Sequence, residues 1–91
     1  MTTKHSSVAK LRKQAEQVAR TLKEIESTGF SKHDVGGKIA AARLRPGVKF
    51  GIAMDDKILS VGILWSTVRE MSEHAIAEWV LKYMREQQNA S

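Results

Sequence analysis

Cysteine is absent from the 91 residues, and with it go disulfides, thiolate metal sites and cysteine nucleophiles. A cytoplasmic address is the expectation that follows. Aromatic residues are scarce as well: two Trp, two Phe and one Tyr leave few large anchors for a core that is already small at this length. Pairing with a second copy would be an additional source of buried area. No apolar stretch approaches the roughly 20 residues needed to span a bilayer, so no membrane association is expected. Met1 to Lys13 carries basic and hydroxyl residues without a continuous apolar segment, which argues against a secretory signal.

What is present is an uneven charge. The net charge is +5; residues 1–49 hold eleven Lys/Arg against four Asp/Glu, or +7, and residues 50–91 hold four against six, or −2. A basic half of this kind suits phosphates or an acidic protein surface, and equally a solvated lysine-rich helix with a basic loop.

The pattern that organises the chain lies between Val48 and Ile63. Folded about Asp55-Asp56, it sets Ile52 opposite Leu59, Phe50 opposite Val61 and Val48 opposite Ile63 on one apolar face. The other face pairs Lys49 with Gly62, Gly51 with Ser60 and Ala53 with Ile58, and is nearly bare. A slip of one residue would scatter both sets, so the register is strongly specified.

Before the hairpin, Val8, Leu11, Ala15, Val18, Leu22 and Ile25 follow an a/d heptad spacing that predicts a helix over residues 7–28, capped by Ser6 or Ser7. Gly29 falls where a left-handed C′ residue is wanted, with Phe30 placed to contact Ile25 in a Schellman ending. The seam suits a dimer interface, the chain's own sheet or a groove in another protein. Residues 38–44 are ambiguous: Ala40-Ala41-Ala42 favours helix, whereas the Pro46-Gly47 turn favours a third strand leading into Val48. The strand reading is preferred because it would place Ala41 beside Ile52. After Ile63 the period becomes helical: Ser66–Met71 reads either as a short helix that bends at Ser72 or as the first turns of one longer helix, whose firm part is residues 72–87. Ile76, Trp79, Val80, Tyr83 and Met84 form the stripe expected to cover the apolar face of the hairpin.

The fold class expected is therefore α+β: an N-terminal amphipathic helix, an antiparallel hairpin or three-stranded meander, and a C-terminal helix. Residues 1–6 are expected to be disordered, 7–88 to form one small domain and 89–91 to fray.

Arg43, Arg45 and Lys49 cluster about the Pro46-Gly47 turn, with Lys38 at the far end of the same segment. Cations displayed on a rigid turn can contact nucleic-acid phosphates; the same residues also protect a sheet edge against aggregation. The bare face has room for close approach by a helix, with helix 7–28 the expected occupant, or for a ligand or peptide. Trp65 and Trp79 read as core anchors, Trp65 alternatively as part of an interface with Val8, Leu11, Val18, Leu22 and Ile25.

No metal or other cofactor is expected. His74 and Glu78 lie one helical turn apart without completing a ligand set, and Gly36-Gly37-Lys38 lacks the spacing and the following Ser or Thr of a phosphate loop. Nothing assembles a nucleophile, its base and an orienting group. The reading is of a non-enzymatic regulator or adaptor that forms a homodimer and binds nucleic acid through its basic half. The alternative is a small protein-binding module or inhibitor acting through the helical seam or the sheet face.

Overall fold

A computed structural model describes residues 8–54 and 57–89. Its elements run α1 (Val8–Thr28), a 3-10 turn (Val35–Gly37), α2 (Lys38–Ala42), β1 (Gly47–Ala53), β2 (Ile58–Leu64), α3 (Trp65–Glu70) and α4 (Glu73–Asn89). The proposed caps Ser6 and Ser7 and the Asp55-Asp56 turn lie outside the described residues.

The α+β class and the hairpin are as the sequence pattern requires. β1 and β2 pair antiparallel with Val48 opposite Ile63, Phe50 opposite Val61 and Ile52 opposite Leu59. Val48, Ile52, Leu59, Val61 and Ile63 are buried and Phe50 is partly so, while every residue of β2 on the other face is exposed. Alternation along a half-buried ribbon thus separates the faces as the pleat demands.

α1 ends at Gly29, whose φ of +81° a residue with a Cβ would adopt at a cost. Its N–H donates to Ile25 O at 2.8 Å, the single bond of an αL ending. The expected Schellman contact does not form: Phe30 is 69% exposed, and its N–H donates to Thr28 Oγ1 instead.

Three further expectations are corrected. Residues 38–44 are not a third strand. Gly36 and Gly37 take positive φ and turn the chain, and both carboxylate oxygens of Asp34 accept from α2: Oδ1 from Ile39 N–H at 3.0 Å and Oδ2 from Ala40 N–H at 2.7 Å. Satisfying two otherwise orphaned donors lets the alanine run keep its helical preference. Among the described residues the sheet therefore has two strands. Asp34→Ala is expected to lower stability by about 1–2 kcal/mol, within the range for lost helix caps, and to speed amide exchange at Ile39 and Ala40. Unchanged exchange there would contradict this role.

Second, the heptad seam belongs to the chain's own core. Leu11, Ala15, Leu22 and Ile25 are at most 1% exposed, packed in one cluster with Val68 of α3 and Ile76, Ala77, Val80, Leu81 and Met84 of α4. The interface assigned to Val8, Leu11, Val18, Leu22 and Ile25 is thus already filled by α3 and α4, with Val8 exposed and Val18 partly buried at its margin. Lys23 completes this docking: its Nζ donates to Val68 O at 3.0 Å and Met71 O at 2.8 Å, placing a cation at the α3 C-terminus.

Third, α4 is rotated from the expected stripe. Its chief neighbour is α1, and the positions turned inward are Ile76, Ala77, Val80, Leu81 and Met84. Trp79, read as a core anchor, is left 37% exposed. Small Ala77 lets the two helices approach where an indole would hold them apart. Of the two readings of residues 66–72 the structure shows the short helix, with the break between α3 and α4 at Ser72, its Oγ accepting from Ala75 N–H at 3.0 Å.

Candidate nucleic-acid interface

The basic segment runs from Lys38 through Lys49. Lys38 opens α2, Arg43 follows directly after it, Arg45 lies in the turn before β1 and Lys49 lies within β1; all four are exposed. What holds the segment is Trp65. Its backbone N–H donates to Pro46 O at 3.0 Å and its indole Nε1 to Ala42 O at 3.0 Å, so one residue at the end of β2 grips both sides of the Arg43–Arg45 turn. Trp65 is only 5% exposed. Its assignment to a partner interface is therefore replaced by an internal one, an apolar body in the core with a polar tip satisfied by backbone.

The four cations differ in what they do. Arg43 Nη2 donates to Glu26 O at 3.1 Å, and its guanidinium lies against Gly29, so it serves the α1 C-terminus, where a cation is favoured. The side chains of Lys38, Arg45 and Lys49 make no ion pair or hydrogen bond among the described residues. The stem of Lys49 crosses Gly62, 3.6 Å from the place a Cβ would take.

Several of the molecule's other placed charges have partners. Arg12 pairs with Glu78, Arg69 Nε donates to Glu26 Oε2 at 3.0 Å, and Arg20 stands 4.0 Å from Glu73. Glu78 is thus engaged by Arg12 rather than by His74, and among the described residues no cluster of three His, Asp or Glu could hold a metal. Asp34, the neighbour of His33, is committed to the α2 amides.

Sequence reasoning missed two features. The first is the grip of Trp65, which joins residues 23 positions apart and leaves no local signal. The second is a shallow groove of about 470 Å³ where α1 passes the outer edge of β1, lined by Lys10, Lys13, Gln14, Gln17, Val18 and Gly51 to Ala53. Gln14 Nε2 closes one end by donating to Ala53 O at 3.0 Å.

Among the described residues no helix covers the bare face, contrary to expectation. Lys49, Gly51, Ala53, Ser60 and Gly62 are exposed on it, together with Ile58 at 75% and Leu64 at 55%. The reason is that α1 spends its apolar stripe on α3 and α4 and has none left for a second surface. No described helix is long and apolar enough to cross a membrane. In comparison with known proteins, the chain matches no family model, no curated protein and no solved structure.

Proposed function

We propose that this protein is a non-enzymatic regulator or adaptor of the cytoplasm that associates with itself and binds nucleic acid. Lys38, Arg45 and Lys49 contact phosphates; Arg43 contributes charge while holding the turn to α1. The observation that carries the reading is the grouping of the cations: Lys38, Arg45 and Lys49 have exposed side chains unpaired among the described residues and fall, with Arg43, on one segment pinned by Trp65. Unpaired cations on an ordered turn meet a polyanion without first breaking internal bonds.

Binding of this type positions the protein on the backbone and reads little sequence. Glu26 and Glu78 pair with arginines and Asp34 accepts from two amides, so these three carboxylates serve the fold. The test is an anisotropy titration of labelled duplex and single-stranded oligonucleotides across a salt series. Three phosphate contacts predict a slope of log K against log salt of roughly −2 to −3. Absence of binding at low ionic strength would overturn the reading.

A further inference from the structure

The ladder shows which main-chain groups are spoken for. Met54 N–H donates to Lys57 O and Trp65 N–H to Pro46 O, so the bonded pairs of the hairpin are Val48 with Ile63, Phe50 with Val61 and Ile52 with Leu59. The alternate residues of β2, Ile58, Ser60, Gly62 and Leu64, turn their N–H and C=O groups away from β1. Among the described residues no third strand takes them, and the elements packed closely on β2 are β1 and the α3 that follows it.

The two edges of the hairpin are unlike. Beside β1 lie Lys49, the α1 groove with Lys10 and Lys13, and Gln14 capping Ala53 O. β2 reads Ile-Leu-Ser-Val-Gly-Ile-Leu, without charge or proline and, among the described residues, without cover, and its bare face holds two of the exposed large apolar side chains, Ile58 and Leu64. Proteins blunt such edges when they are to remain single. This one is unblunted.

From the symmetry of this strand we infer that β2 pairs antiparallel with β2 of a second copy, about a two-fold axis through Val61, to make one continuous four-stranded sheet. The register is dictated by the outward groups: Ser60 bonds with the partner's Gly62, and Ile58 with the partner's Leu64. On the bare face that pairing sets Ile58 against the partner's Leu64 at both ends, covering the residues the monomer leaves 75% and 55% exposed. On the core face Leu59 meets the partner's Ile63, and Val61 meets its own copy. Every cross-strand pair is apolar or small, which a strand chosen for a different partner has no reason to satisfy. The sheet also brings the two Lys49 side chains onto one surface.

The inference rests on the self-association named above and gives it a surface. Ile58 and Leu64 are six residues apart on one strand, roughly 20 Å, and do not interact within a chain. In the proposed dimer they are directly opposed. The mass of the full chain, measured by light scattering at tens of micromolar without nucleic acid, is expected to be twice that of one chain. I58K/L64K opposes like charges at both ends and is expected to halve that mass with an unchanged far-ultraviolet circular dichroism spectrum. I58K/L64E opposes unlike charges and is expected to return it to the dimer.

A monomeric wild type would overturn self-association and this interface together. A dimeric wild type with I58K/L64K still dimeric, or with I58K/L64E as monomeric as I58K/L64K, would overturn the interface alone. Should I58K/L64K fail to fold, the single variants I58K and L64K decide, each expected to weaken the dimer, and an undiminished dimer in both would overturn the pairing. The oligonucleotide titration stands apart from all of these outcomes.

Discussion

Leu22→Asp is expected to unfold the protein rather than split a dimer. Leu22 is 1% exposed in the cluster that joins α1 to α3 and α4. Removing a buried leucine side chain costs about 2–5 kcal/mol, and an unpaired carboxylate in its place adds several more. The nearest cation along the chain, Lys23, is committed to the carbonyls of Val68 and Met71 and would have to abandon them to help. The sum rivals the roughly 5–15 kcal/mol that holds a typical small domain together. Circular dichroism should show loss of helix at neutral pH. Val8→Asp, on the same helix but at a position 47% exposed, should change stability by no more than about 0.5 kcal/mol. A folded, monomeric Leu22→Asp protein would mean that the seam faces a partner after all.

Trp65→Ala carries the next largest effect. Truncating a buried Trp costs about 3–5 kcal/mol, and the Ala42 carbonyl loses its indole donor while keeping Arg45 N–H at 2.9 Å, a loss of about 0.5–1.5 kcal/mol. Trp65→Phe keeps most of the apolar volume and removes the donor, so it should fall well short of that sum. Because Trp65 holds the chain at both Ala42 and Pro46, amide exchange at Arg43 to Arg45 should quicken in both variants. A urea midpoint for Trp65→Ala showing a destabilisation below about 1 kcal/mol would contradict the clamp.

The parts of the fold that are legible in the sequence are those where neighbours in the chain carry the information. Alternation from Val48 to Ile63 admits one register with a consistent apolar face, and it is the register observed. Heptad spacing and Gly29 likewise delimit α1, because a helix and its end are local objects.

Residues 38–44 mislead because two local signals disagree and the deciding one, the carboxylate of Asp34 on the α2 amides, depends on a glycine turn that folds back. The orientation of α4 is hidden for a tertiary reason: Trp79 looks like a better anchor than Ala77 until α1 is known to lie alongside.

The candidate site divides in the same way. Four cations near a turn can be counted from sequence, but the engagement of Arg43 by the Glu26 carbonyl requires two segments 17 positions apart to meet. The free β2 edge is masked by the expectation of a third strand and of a helix over the bare face. Once neither is there, the unpaired groups of Ser60 and Gly62 become visible.

The most direct measurement compares two variants of equal net charge. Arg45→Ala with Lys49→Ala removes two cations from the pinned turn and β1; Lys82→Ala with Arg85→Ala removes two exposed cations from α4, and each lowers the formal charge from +5 to +3. With the salt dependence of oligonucleotide affinity measured for both, the first pair should flatten the slope by about 2, one for each phosphate that no longer meets a cation, and the second should leave it near the wild-type value. An equal flattening in the two would show that charge acts wherever it sits, and would contradict a basic surface built around Trp65.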